Sequence, residues 1–168
     1  MIGVYWGRFN PPHKGHLRVI KGILKEVDKL FVVVGSAEFR NTKRNPFDGT
    51  EKRKMMQAYL KEEGIDSNKV KVVVVMDGKS YSVGIQNLFE CCGQFDVLYT
   101  DKETVIKLIR KKVRIKRIKR AGTISSTKIR DAIAFNQSWE QFTGKSVARL
   151  IKKFNGIKRI KEAYGIRG

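Results

Sequence analysis

Apolar positions along the chain fall into short, β-branched runs, separated by stretches in which hydrophobic residues recur every three or four positions. The runs predict strands over residues 2–6, 30–34, 70–76, 96–99 and 113–118, because consecutive Val and Ile side chains suit a pleated, buried surface. The run over 70–76 is continuous enough to predict a strand covered on both faces. Between the first two runs, Leu17, Ile20, Ile23, Leu24 and Val27 share one helical stripe. The same spacing predicts helices over residues 50–63, 83–90, 102–112, 126–135 and 147–154, with a shorter one over 158–163. Strand and helix in strict alternation require right-handed crossovers. The expected fold is therefore α/β: a doubly wound, parallel five-stranded sheet flanked by helices, followed by C-terminal helices.

A chain of 168 residues is long enough to bury a core and fits a single domain over 1–168, with its helical tail at about 145–168. In that tail Val147, Leu150, Ile151 and Phe154 repeat at helical spacing, which suits packing on the sheet or a subunit contact in a homo-oligomer. No apolar run reaches the roughly 18 residues of a membrane span, and the opening MIGVYWGRF lacks the features of a signal peptide. A cytoplasmic setting is expected. The two cysteines, Cys91 and Cys92, are adjacent, which disfavours a structural disulfide and lacks the spacing of a metal clip.

Charge alters the picture more than composition does. The chain carries a net +20, unevenly spread: residues 1–101 hold 16 basic and 12 acidic side chains, residues 102–168 hold 20 and 4. Such a field attracts phosphates, on a small nucleotide or on a nucleic acid. The densest stretch, RKKVRIKRIKR at 110–120, has little aromatic interleaving to stack on bases, so it reads as a solvated basic face rather than a nucleic-acid site.

In a parallel sheet of this kind ligands lie beyond the carboxyl ends of the strands, which directs attention to the residues after Trp6, Val34 and Tyr99 and to the segment before Ser126. After the first strand comes GRFNPPHKGH, residues 7–16. His13 and His16 are the only histidines in the chain, and their spacing at a helix start aims both rings at one spot. Gly7 permits a sharp turn, Gly15 removes a side chain between the rings, and backbone N–H groups at a helix start favour phosphate oxygens. By spacing alone the pair suits phosphate chemistry, a metal site or no function; no third metal ligand is evident. Ser125, Ser126 and Thr127 are helix-capping types, and Arg130 stands one turn further on.

GRFNPPHKGH and ISSTKIR, residues 124–130, resemble the two signatures of the HxGH nucleotidylyltransferases, in the right order and about a hundred residues apart. The resemblance covers most of the chain and implies a Rossmann-like sheet. The GRF opening, Gly35, Ser36 and Ala37 after the second strand, Asn45, Pro46 and Phe47, and Glu51 are most similar to the archaeal type of nicotinamide mononucleotide (NMN) adenylyltransferase. That group implies transfer of AMP from ATP to NMN with Mg²⁺ held mainly by substrate phosphates, not by a protein metal site. His13, His16 and Arg130 become the expected catalytic residues. Gly7, Arg8, Phe9, Lys14, Gly15, Ser125, Ser126 and Thr127 become ATP-binding candidates, and Arg8, Gly35, Ser36, Asn45 and Tyr81 acceptor-binding candidates.

The chain departs from that pattern at three places. Arg40 and Asn41 replace a Ser-His pair, Lys52 replaces an arginine after Glu51, and Thr100, Asp101 and Lys102 replace a Ser-Gly-Asn-like turn. These departures concern the acceptor more than the reaction, so sister transferases acting on phosphopantetheine, flavin mononucleotide or an alcohol phosphate are the alternatives. A basic nucleic-acid-binding protein is a more distant one.

Overall fold

The computed structural model describes residues 1–118 and 122–167. Among them, five parallel strands form one sheet in the order β3-β2-β1-β4-β5. These are β1 (Ile2–Gly7), β2 (Lys29–Val34), β3 (Val70–Val74), β4 (Val97–Tyr99) and β5 (Arg114–Lys116). Every crossover carries a helix: α1 (Lys14–Ile23), α2 (Gly49–Glu62), α3 (Tyr81–Cys92) and α4 (Glu103–Ile109). After β5 come α5 (Ser126–Ala134), a short 3-10 turn (Glu140–Phe142), α6 (Lys145–Lys153) and α7 (Gly156–Ala163). The expected doubly wound, Rossmann-like sheet is present, and its order reverses between β1 and β4.

Side-chain alternation divides the core. Tyr5, Val32, Val34 and Tyr99 face one layer with residues of α1, α2, α5, α6 and α7. Val4, Trp6, Val33 and Leu98 face the other, against Ile85, Leu88, Val105 and Ile109 of α3 and α4. The tail is seated on the first layer: Val147 and Ile151 are fully buried, α6 packs on α2, and α7 packs on α5 and α6.

Two expectations need correction. The strand over 70–76 is covered on both faces as expected, with Val70 in one core layer and Val73 and Val75 in the other, but it is shorter: β3 ends at Val74, and Met76 is 58% exposed. It also lies at the edge of the sheet, a position that valine repetition cannot distinguish from a central one. The first helix also stops early, at Ile23: Lys25 and Glu26 donate to Gly22 and Ile23 in a closing turn, and Val27 reaches the core from the loop.

Candidate active site

The loop between β1 and α1 is held by the Asn10 side chain and by three successive carbonyls. Asn10, which precedes a cis peptide to Pro11, exchanges two hydrogen bonds with the backbone of Phe47, Nδ2 to O at 2.9 Å and N to Oδ1 at 3.2 Å. Its own carbonyl accepts from Arg130 Nη1 at 2.9 Å, that of Pro11 from Ser126 Oγ at 2.8 Å, and that of Pro12 from Thr143 Oγ1 at 2.7 Å. Buried carbonyls demand donors, and here the donors come from α5 and the chain just before α6. The two sequence signatures are therefore bonded directly to one another.

His13 and His16 begin α1 as a reciprocal cap. His13 Nδ1 accepts from Gly15 N at 3.0 Å, and His16 Nδ1 accepts from His13 N at 3.2 Å. This is the capping-box arrangement, built from imidazoles where serine and glutamate are usual. Because each Nδ1 accepts, the neutral rings carry their proton on Nε2 and present it as a donor. The rings stack with centroids 3.6 Å apart. His13 is 6% exposed, and burial pushes its pKa down to about 4, so it is neutral near pH 7.

Both glycines leave room for a neighbouring ring. A Cβ on Gly15 would come within 2.8 Å of the His13 ring, so the bare position accommodates that imidazole. A Cβ on Gly7 would meet the Phe9 ring at 2.7 Å. Phe9 itself is 1% exposed and lies edge-on to His16 with centroids 4.8 Å apart. It props the catalytic candidate from within the core instead of lining a nucleotide surface. Lys14 is exposed at the first position of α1.

At the start of α5, Ser125 is the cap, its hydroxyl accepting from Lys128 N at 3.2 Å. Thr127 Oγ1 accepts from Arg130 Nη2 at 3.2 Å, and Arg130 Nε donates to Lys43 O at 2.9 Å. Arg130 is thus a buried strut between the β1–α1 loop and the loop after β2, as well as a cation. Burial holds its pKa below the usual arginine value.

Beside the histidine loop, at the carboxyl ends of β1, β2, β3 and β4, opens a cleft of about 480 Å³. Of the expected acceptor residues, Arg8, Ser36, Asn45 and Tyr81 line it. Gly35 lies behind the wall, where a Cβ would meet Trp6 Nε1 at 2.5 Å and Asp77 Oδ1 at 3.0 Å. Trp6, Phe39, Arg44, Asp77 and Lys102 also line the cleft and are not among the expected site residues. Two of them carry a legible signal: Trp6 as an aromatic residue at a strand end next to a signature glycine, and Lys102 as part of the turn where the chain departs from the family pattern. Asp77 accepts from Ser36 N at 2.9 Å and Ser36 Oγ at 2.6 Å. The Lys102 ammonium lies 5.7 Å from the Trp6 ring centre, within cation–π range. Burial, then repulsion from Arg44 and Arg130, holds the Arg8 pKa below its usual value. Asn45 Oδ1 is buried without a partner, an acceptor at the edge of a cationic, aromatic cleft. Among the described residues, no group of three or more His, Cys, Asp or Glu side chains is arranged to hold a metal ion.

The cytidylyltransferase-like family model matches residues 4–132, from β1 through most of α5. The chain belongs to the cytidylyltransferase-like family. Within reach of this family's sequences, it is 35% identical to a nicotinamide-nucleotide adenylyltransferase of Pyrobaculum arsenaticum, over 96% of this chain and 93% of that one. It is 33% identical to a protein of the same name from Thermococcus sibiricus, over 96% and 88%. Among solved structures, it aligns with a bifunctional NMN adenylyltransferase/ADP ribose pyrophosphatase of Francisella tularensis, complexed with AMP and an Mn ion, at a TM-score of 0.80 and 19% identity. That alignment covers 98% of this chain but 52% of the larger protein, so it speaks for the fold of one half. Among the described residues, no helix of this cytidylyltransferase-like chain is long and apolar enough to cross a membrane.

Proposed function

We propose that the chain is a nicotinamide-nucleotide adenylyltransferase, which transfers AMP from ATP to NMN and releases pyrophosphate. The observation that carries this reading is the stacked imidazole pair, with both Nε2–H donors fixed at a helix N-terminus beside a cationic, aromatic cleft. The near full-length likeness to archaeal enzymes of that name supports the choice of acceptor.

In this reaction an oxygen of the NMN phosphate attacks the α-phosphorus of ATP in line. The bond from that phosphorus to the bridging oxygen breaks, and the electron pair leaves with pyrophosphate. No covalent intermediate with the protein is needed, so catalysis rests on positioning and on stabilising charge that grows on phosphate oxygens. His13 and His16 donate Nε2–H hydrogen bonds to the triphosphate. The first N–H groups of α5, with Ser126, Thr127 and exposed Lys14, meet the remaining phosphate oxygens, while Gly15 leaves room for the His13 ring and Gly7 for the Phe9 ring that props His16. Arg130 keeps the two signatures in register and adds a cation beside them. Arg8 and Arg44 receive the acceptor's phosphate, while Trp6 and Tyr81 offer ring faces to its base.

The donor set fits a divalent ion such as Mg²⁺ bound through substrate: the site presents cations and N–H donors, and Asp77 is engaged with Ser36. When bound with substrate, such an ion would neutralise part of the negative charge on the phosphates.

The test is to incubate purified protein with ATP, a divalent ion and NMN, and to identify products by mass. Formation of NAD and pyrophosphate is expected. Dinucleotide formation with phosphopantetheine or flavin mononucleotide in place of NMN would overturn the acceptor, and failure with every phosphorylated acceptor would overturn the reaction.

A further inference from the structure

Lys52 is fully buried inside α2, whereas its neighbours Arg53 and Lys54 are exposed. Burying an ammonium is costly unless it is well hydrogen-bonded. Its contacts are two successive backbone carbonyls: Nζ lies 2.7 Å from Gly35 O and 3.1 Å from Ser36 O. Those carbonyls belong to the turn by which the chain leaves β2, and Ser36 sits there in the left-handed region, at φ 51°. A non-glycine residue in that conformation persists only where its surroundings hold it. The turn is gripped on both sides: Lys52 takes the carbonyls, while Asp77 takes the Ser36 N–H and hydroxyl. Ser36 and Asp77 line the cleft, and Gly35 lies against the Trp6 indole.

We propose that Lys52 is a positioning residue for the acceptor: by holding the carbonyls of Gly35 and Ser36, it keeps Ser36, Asp77 and Trp6 in the arrangement that receives the phosphorylated acceptor. The proposal rests on the reading of this cleft as the acceptor's. Lys52 touches neither ATP nor the acceptor, so its loss acts on acceptor binding through the turn.

The grip is also sensitive to pH. Burial pushes the Lys52 pKa down to about 8. Around it, Asp77, Glu38 and Asp48 favour the ammonium and Arg8 opposes it. As pH rises through that value the ammonium loses its charge, and its bonds to the two carbonyls weaken to those of a neutral amine.

Steady-state kinetics with NMN and ATP, in wild type, Lys52→Met and Lys52→Arg, test this from neutral to alkaline pH. Lys52→Met is expected to raise the acceptor KM about tenfold at neutral pH, the size expected for a lost charge-assisted hydrogen bond, with little change in the ATP KM. In wild type the acceptor KM climbs toward that of Lys52→Met as the ammonium titrates, whereas Lys52→Arg, a permanent cation, keeps it level. Equal movement of both KM values in Lys52→Met, or an alkaline rise that Lys52→Arg reproduces, overturns the proposal. If Lys52→Met does not fold, the comparison of wild type with Lys52→Arg decides alone. Amide hydrogen exchange at Ser36 and Ala37 in the substrate-free protein supplies an independent readout. Exchange is expected to be faster in wild type than in Lys52→Arg at alkaline pH, and equal rates would sink the idea. Should wild type make no dinucleotide from ATP and NMN, the functional reading fails, and the exchange measurement still decides whether Lys52 holds the turn.

Discussion

Arg159 of α7 meets both carboxylate oxygens of Glu51 in the first turn of α2, with Nη1 2.7 Å from Oε1 and Nη2 3.0 Å from Oε2. Its Nε donates to Asn41 Oδ1 at 2.8 Å, further N–H groups reach the carbonyls of Pro46 and Phe154, and its guanidinium lies 5.2 Å from the Phe47 ring centre. The tail, which lies outside residues 4–132, thereby grips the loop that supplies Arg44 and Asn45 to the cleft. Both partners are mostly buried, with side chains 11% and 14% exposed.

Arg159→Ala leaves the Glu51 carboxylate with no forked partner and removes the side-chain donor to the carbonyls of Pro46 and Phe154. Breaking a largely buried pair by removing one side costs about 3 kcal/mol, which for a chain of this size lowers the thermal midpoint by about 6 to 12 °C. Calorimetry near neutral pH measures it. A midpoint within about 2 °C of wild type would show that the clamp contributes little.

His16→Ala removes one Nε2–H donor and the acceptor for the His13 N–H. Loss of a charge-stabilising donor typically costs about 100- to 1000-fold in turnover, and a drop of that order in kcat is expected with the far-ultraviolet dichroism retained. Turnover within a few-fold of wild type would remove His16 from the reaction.

His13 links stability to pH. Its folded pKa is about 4, below the ordinary value of 6.5, so as the pH falls below 6.5 the unfolded chain takes up a proton that the folded one refuses. Stability is therefore complete above pH 6.5 and is lost as the pH falls through 4, at about 1.4 kcal/mol per pH unit within that window. Denaturant titrations of wild type and His13→Gln, subtracted at each pH, isolate this component from the carboxylates. A difference that stays flat across the window would contradict the buried, neutral ring.

Arg130→Lys keeps the charge and loses the fork. One ammonium cannot reach Asn10 O, Lys43 O and Thr127 Oγ1 as the guanidinium does, and each buried carbonyl left unpaired costs about 1 to 3 kcal/mol. The thermal midpoint is expected to fall together with kcat, the latter by at least about tenfold, because the register of the two signatures slackens. Unchanged kcat well below the lowered midpoint would leave Arg130 a purely structural strut.

Much of this arrangement was legible in the chain because it is local or periodic. The alternation of valine runs and helical stripes located all five strands and the order-dependent site, and the spacing of His13 and His16 anticipated rings that do meet. The cleft wall was less legible. Trp6, Arg44, Asp77 and Lys102 come from four different segments, and only the strand order and twist bring them together. What fills a space is also hard to read from a chain: the room that Gly7 and Gly15 leave is taken by the Phe9 and His13 rings. Long reach was invisible too, as with Arg159 and Glu51, separated by 108 residues. Part of the basic run is balanced locally, Lys116 by Glu26 and Arg117 by Glu103, through exposed pairs of small energetic weight. Its last two residues, Lys119 and Arg120, lie outside the described residues.

The backbone bonds that fix the two imidazoles also narrow the chemistry open to them. With Nδ1 of each ring occupied by a peptide N–H, only Nε2 is left to face a ligand, so in the proposed reaction each ring serves as a fixed N–H donor and not as a two-ended proton relay.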